Sequence, residues 1–229
     1  MTNYLASNQR GKGNHSWLQS NFSFSFADYY NPQRMGFRAL RVINEDFVAP
    51  ANGFGKHPHR DMEILTYVLE GAVEHQDTTG ASEVLTPGEL QHMTAGSGVM
   101  HSEMNPSSTE TLHLLQIWLL PNQLGIKPKY EQKRFRVTDE PNKLHLLASK
   151  DGRDESFVLH SDAELLAAKL ENSGEVKHTL RGGYAWVQVA RGSVTANGKA
   201  LAQGDGLAIS NESEVTIQGD GEVLLFDLD

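Results

Sequence analysis

The apolar positions of this chain fall into short runs punctuated by glycine and proline. Phe22-Ser23-Phe24-Ser25-Phe26 alternates strictly, so an extended segment there shows three phenylalanines on one face and the serines on the other, which predicts a half-buried strand. A turn at Asn31-Pro32-Gln33 leads into residues 36–43, again strand-like, with Arg38 and Arg41 on an exposed edge. Residues 64–75 are β-prone and are broken by Gly71, where a bulge or turn fits. Residues 77–80 and 85–90 make further turns. The most apolar run, residues 112–120, ends at Pro121-Asn122 and reads as a central strand buried on both faces. Short strands at roughly ten-residue spacing, with Gly and Pro turns between them, predict a sandwich or barrel.

Between residues 127 and 154 the composition turns polar, with a loop at Asp139-Glu140-Pro141-Asn142-Lys143. A boundary there divides the chain into domains 1–130 and 131–229. Residues 161–170 present a conflict: by local propensity they are the best helix in the chain, capped by Ser161 or Asp162, yet their β-rich surroundings argue for a strand. Both readings stay open. Residues 187–194 followed by 198–205 echo residues 66–73 followed by 80–89, each with strand, Gly, strand, turn and Gly-acid, which suggests two copies of one β unit.

Composition narrows the classes. Of 229 residues, 38% are hydrophobic and 21% charged, ordinary for a globular protein. The net charge of −9 argues against a nucleic-acid footprint, since phosphate binding needs clustered Lys and Arg. With no cysteine, disulfide scaffolds, thiolate metal sites and cysteine nucleophiles are excluded together. Gly11-Lys12-Gly13 is not a phosphate loop, because no Ser or Thr follows the lysine. The N-terminus lacks a charged region followed by an apolar core, and no segment reaches membrane-spanning length, so the expectation is a soluble, cytoplasmic protein without a membrane partner.

The chemistry concentrates in two places. His57-Pro58-His59 sets imidazoles at i and i+2, which an extended segment projects to one face, and His101 and Glu103 repeat that spacing. Two such strands can close around one ion with three nitrogens and a carboxylate oxygen, a set suited to borderline divalent metals. Laying Gly192 on Gly71 and Gly204 on Gly88 puts His178, Leu180, Ile217 and Gly219 where the first copy has His57, His59, His101 and Glu103. One ligand of four is too few, so the second copy reads as a structural duplicate. His15, His75, His92, His145, His160 and His178 read as surface or satisfied core histidines, and His113 as packed. Gln116 and Trp118 share a face that lines a pocket or packs into the core.

Gly53, His57, His59, Glu63 and Gly71, then Gly98, His101 and Asn105, resemble the two cupin motifs. The run from His57 to Glu63, Tyr67-Val68-Leu69-Glu70-Gly71, the segment from Ala95 to Glu103 and Leu115-Gln116-Ile117-Trp118 are most similar to the pirin family, within it to the bacterial pirin-like quercetin 2,3-dioxygenases. The resemblance implies an all-β bicupin, two jelly-roll β-barrels packed against each other, the N-terminal one metal-binding and the C-terminal one degenerate. It implies His57, His59, His101 and Glu103 as metal ligands. Glu63, a ligand in many other cupins, is expected to support the site or the fold instead. One divalent ion follows, iron(II) expected, with nickel, cobalt, manganese, copper or zinc as alternatives. The implied reaction is cleavage of a flavonol-like aromatic substrate by O2 with release of CO, Glu103 serving as the base. Because the family is also associated with transcriptional co-regulation, a metal-binding module with a protein partner is the second reading, and another small-molecule metalloenzyme the third.

Overall fold

Strand-forming sequence separated by glycine turns pairs almost entirely antiparallel in the computed structural model, which describes residues 1–229. The chain runs through β1 (Thr2–Leu5), β2 (Gly11–Asn14), β3 (Leu18–Phe22), β4 (Leu40–Val48), β5 (Gly53–His59), β6 (Glu63–Glu70), β7 (Val73–Asp77), β8 (Ser82–Leu85), β9 (Glu89–Thr94), β10 (Val99–Met104), β11 (Leu112–Leu119) and β12 (Lys129–Arg134). It continues with β13 (His145–Ser149), β14 (Phe157–Val158), β15 (Ala163–Thr179), β16 (Tyr184–Ala196), β17 (Lys199–Ala202), β18 (Gly206–Ser210) and β19 (Glu214–Leu228). No helix is long and apolar enough to cross a membrane.

Contacts divide the chain into one unit of Gly11–Gly36 and Leu40–Arg134 and another of Met1–Arg10, Phe37–Ala39 and Phe135–Asp229. This departs from a simple division at residue 130. The first ten residues belong with the C-terminal sequence because β1 pairs along the edge of β18, and β12 stays with the earlier sequence because it pairs with β9. The later unit holds one sheet of order β1-β18-β16-β19-β15-β13-β14, with β17 paired to β16. Its core gathers Leu166, Ala168, Val187, Val189, Ile209, Val223 and Leu225.

Within residues 161–170, Ser161 and Asp162 form a bend and residues 163–170 become the start of β15. Helical propensity there yields to pairing on both sides, with β13 and β19, and Leu165 and Leu166 are buried in the process. The phenylalanine stripe also differs from expectation. β3 ends at Phe22, and the serines beyond it are not solvent-facing: Ser23 and Ser25 are buried, Ser25 donating its hydroxyl to the Asn31 carbonyl at 3.0 Å. The segment is a buried turn in which the Ser25 hydroxyl and the Ser23 amide are satisfied locally, the latter by the Ile43 carbonyl at 3.0 Å, while the Ser23 hydroxyl is left without a partner in the protein. The strand expected at residues 36–43 begins later, at Leu40, and runs on to Val48.

The earlier unit contains a sheet of order β12-β9-β6-β11-β4-β3-β2 and a second of order β5-β10-β7-β8. Register places Asn44 opposite Gln116, Gln116 opposite Thr66 and Thr66 opposite Gln91, so four polar side chains form a row across one face of the larger sheet. All four are buried. Around them lie Leu18, Val48, Val68, Leu112 and Leu114, and separately Ile64, Met93 and Val99.

The corner from β9 into β10 sets where β10 starts. Gly96 sits there at φ +46, its carbonyl accepting from the Asp61 amide, and an added Cβ would collide with the Ile126 carbonyl oxygen. A backbone neighbour cannot swing aside as a side chain can. Gly96→Ala is therefore expected to lower the unfolding free energy by about 1–3 kcal/mol in urea titrations. An unchanged midpoint would show that the corner adapts freely.

Candidate metal centre

β5 and β10 pair antiparallel, with His57 directly opposite His101. One residue further the register shifts, so that Glu103 faces Phe54. Such a bulge twists a strand locally and redirects its side chains. The strands also come unusually close at Gly53, where a Cβ would strike the Glu103 carbonyl. His57 and His59 share a face as their spacing requires, and the donor nitrogens of His57, His59 and His101 lie within 4.8 Å of one another. The Nε2 atoms of His57 and His101 are 3.0 Å apart.

Hydrogen bonds decide which nitrogens carry the lone pairs. The Nδ1–H of His57 donates to the Gly55 carbonyl at 2.7 Å, leaving Nε2 free as an acceptor facing His101. His101 Nδ1 lies 3.4 Å from His75 Nδ1, and His75 Nε2 lies 2.9 Å from Asp77 Oδ2. With the Asp77 carboxylate as final acceptor, His75 donates through Nε2 and accepts from the Nδ1–H of His101, which turns the lone pair of His101 Nε2 toward the cluster. Burial pushes the Asp77 carboxyl up, but hydrogen bonds from His75, Thr79 and Ala81 bring it below its ordinary value. His59 is lowered to about 4, by burial first and then by the neighbouring His101 and His57 charges. His101 is lowered to about 3, again by burial first and then by His57 and His75. Both are neutral donors at physiological pH, as a cation site needs.

Glu103 is buried and held by hydrogen bonds from the polar row. Its Oε2 accepts from Gln116 Nε2 at 2.9 Å, and its Oε1 accepts from Gln91 Nε2 and Thr66 Oγ1, each at 3.2 Å. Of the four residues singled out in the sequence, the three imidazoles form one cluster, while Glu103 shares a second cluster with His75 and His101. Asn105, the motif asparagine, braces the end of β10: its amide donates to the carbonyls of Val48 and Glu110 at 3.0 and 2.8 Å. Glu63 is elsewhere. Asp61, at φ +64, interrupts the extended chain between β5 and β6, so strand parity does not carry from His59 to Glu63. Lying an odd number of residues from Thr66, Glu63 points to the opposite face and accepts from His92 Nε2 at 2.7 Å.

His57 and His59 border a cavity of about 230 Å³. Phe26, Phe54 and Trp118 supply its aromatic walls, with Asn44, Asp46, Glu103 and Gln116 as polar lining. Trp118 meets His59 edge-on at 5.0 Å and Phe26 at 5.3 Å. Gln116 and Trp118 are thus cavity residues. Asp46 and Asn44 are 3% and 2% exposed. Burial raises the Asp46 carboxyl to about 7, a hydrogen bond from Ser20 working against it and the charges of Glu103 and Glu45 with it. One Oδ1 on each of Asn44 and Asp46 has no hydrogen-bond partner within the protein, an arrangement that costs about 1–3 kcal/mol per group. Sequence reading missed both, because it ended the strand at Ile43; a polar pair at i and i+2 inside an apolar strand was the available signal. His75, expected as a surface or satisfied core histidine, is fully buried and also orients His101.

The later unit has its own cluster, Glu164, His178 and Asp227. His178 Nε2 lies 2.8 Å from Asp227 Oδ2, while Arg153 grips Glu164 through two 2.7 Å hydrogen bonds and Arg181 lies 3.4 and 3.5 Å from the two carboxylates. The carboxylates come from β15 and β19, positions that the repeat alignment does not pair with ligands of the first copy.

The lowered imidazole pKa values set the acid behaviour of the metal-free chain. An unperturbed imidazole protonates near 6.5, but His101 in the fold does so only at about 3. Between those values the unfolded chain binds more protons than the folded one, so acid favours unfolding. The stability difference between the parent and His101→Gln should move in the variant's favour as pH falls from about 7 to about 4, read by denaturant titration. A constant difference would mean that His101 is not held neutral by its surroundings.

Comparison with known proteins gives the lineage of this arrangement. Residues 5–119 match the family described as Pirin, and residues 146–228 match the quercetinase C-terminal cupin domain. The chain is 52% identical to quercetin 2,3-dioxygenase of Escherichia coli K12, over 96% of each chain. It is 40% identical to a pirin-like protein of Caulobacter vibrioides, over 95% of each. A crystal structure of the Escherichia coli bacterial pirin YhhW in complex with nickel(II) superposes with a TM-score of 0.94 at 50% identity, covering 100% of this chain and 99% of that one. With two cupin domains, an all-β fold and family matches on both halves, the chain belongs to the pirin family.

Proposed function

We propose that the chain is a metal-dependent dioxygenase that cleaves flavonols such as quercetin with O2, opening the central ring with incorporation of both oxygen atoms and release of CO. The observation that carries this reading is the convergence of three imidazole nitrogens, two of them on histidines held neutral by burial, beside an aromatic-lined cavity whose wall includes His57, His59 and the buried Glu103 carboxylate. The similarity to quercetin 2,3-dioxygenase of Escherichia coli supports it. In this reading His57, His59, His101 and Glu103 hold one divalent ion. Iron(II) is the expected ion, and the nickel(II) complex of the Escherichia coli relative makes nickel the alternative to test beside it.

A bound divalent ion would supply the Lewis acid that lowers the pKa of the flavonol 3-hydroxyl. The protein's own groups do the rest. Glu103 receives the proton of that hydroxyl, and hydrogen bonds from Gln91, Gln116 and Thr66 hold its carboxylate in place. Phe26, Phe54 and Trp118 clasp a planar ring system and exclude water from it. The Asp77–His75 pair keeps His101 in the tautomer that presents Nε2. The later unit takes no ion in this reading, since Arg153 and Arg181 already neutralise the Glu164 and Asp227 carboxylates.

Metal analysis after loading should therefore find one ion per chain, and the loaded protein should consume oxygen while bleaching quercetin absorbance. His57→Ala should lose the ion and both signals together; flavonol turnover that continues without oxygen would instead point to an isomerase or lyase. Glu103→Gln keeps the shape of the side chain but not its basicity, and turnover should fall by about 100-fold or more. Full turnover by a metal-loaded Glu103→Gln protein would remove Glu103 as the base.

A further inference from the structure

Two cavity residues are left without a role by the chemistry above. Asn44 and Asp46 stand at i and i+2 on β4 and so share its cavity face. Their neighbours in the polar row, Gln116, Thr66 and Gln91, are bound to Glu103. Asn44 and Asp46 are not part of that network: each keeps one buried Oδ1 without a partner in the protein, although Ser20 satisfies part of the Asp46 carboxyl. Buried acceptors are normally matched, and those left unmatched in a cavity mark where a ligand must donate. The walls facing them are the rings of Phe26, Phe54 and Trp118, which suit a flat aromatic body. The ligand that fits both features is planar, aromatic and supplied with hydroxyl donors.

We propose that Asn44 and Asp46 determine specificity by accepting hydrogen bonds from hydroxyl groups of the substrate other than the one that reacts, so that the cavity selects polyhydroxylated over plain flavonols. The inference rests on the dioxygenase reading for the identity of the substrate class. A site built to pair with hydroxyls rejects an analogue that lacks them, because its own acceptors then stay buried and unmatched.

The test is an oxygen-free binding titration on nickel(II)-loaded protein, comparing quercetin with 3-hydroxyflavone, which carries only the reacting hydroxyl. The parent should bind quercetin at least about tenfold more tightly. Asp46→Leu and Asn44→Leu should each pull that ratio toward one by weakening quercetin alone, and Asp46→Asn, which retains an oxygen acceptor, should keep more of it than Asp46→Leu. A merely structural role would weaken both ligands equally, and that result overturns the proposal. So does a parent with no preference, or a ratio unchanged in both leucine variants, which would mean that solvent alone satisfies the two acceptors. Should Asp46→Leu fail to fold, Asn44→Leu decides the matter. Because binding is read without oxygen, the two claims fail separately: discrimination without turnover in air removes the dioxygenase and leaves the recognition, while turnover without discrimination removes the recognition alone.

Discussion

The Glu103 carboxylate is the interaction on which the earlier unit turns. A carboxylate buried away from water must be matched by donors, and here Gln91, Gln116 and Thr66 of the larger sheet provide them to a residue of the smaller one. That requirement explains why a polar row crosses β9, β6 and β11 at positions where an apolar core would otherwise be expected. It also locks the two sheets at a particular separation and register. The cavity lies where they are held together by polar contacts instead of being filled by side chains.

On the other strand pair the controlling factor is proton placement. Three imidazoles within a few ångströms repel one another if charged, and burial adds to the penalty, so His59 and His101 are driven to the neutral form. Neutrality alone leaves the tautomer open. The Gly55 carbonyl settles it for His57 and the Asp77–His75 pair settles it for His101, each by engaging Nδ1. The His75 ring is itself stacked on Tyr130 at 4.5 Å, so packing, hydrogen bonding and ligand orientation reinforce one another.

Opposite faces of one strand serve different ends. On β9, Gln91 reaches Glu103, whereas the adjacent His92 is buried against Glu63 and Glu131 on the other side. On β11, Gln116 and Trp118 line the cavity while His113 pairs with Glu45 at 3.0 Å and stacks on Phe47. The strand period of two is what permits a polar site and a packed polar network to coexist within a single sheet without competing.

That same period made much of the site legible in advance. His57-Pro58-His59 and His101-Ser102-Glu103 declare their shared faces by spacing alone, and the glycine-punctuated runs declare an all-β chain. What spacing could not convey is any relation that depends on which strands become neighbours. Glu63 has the right parity with His59 on paper, but a left-handed turn at Asp61 turns it to the other face. Of residues 161–170, helical by propensity, 163–170 are extended in fact, because hydrogen bonding to two neighbouring strands outweighs a local preference of a few tenths of a kcal/mol per residue. The i, i+2 spacing of Asn44 and Asp46 gives them a common face but not what that face meets, and His75 carries no mark at all; pairing β4 with β11 and β7 with β10 brings them to the cavity and to His101. Local periodicity thus determined the donors and the class of fold, since both follow from the backbone's own repeat. Tertiary structure decided which polar groups meet them, since that is a matter of register between distant segments.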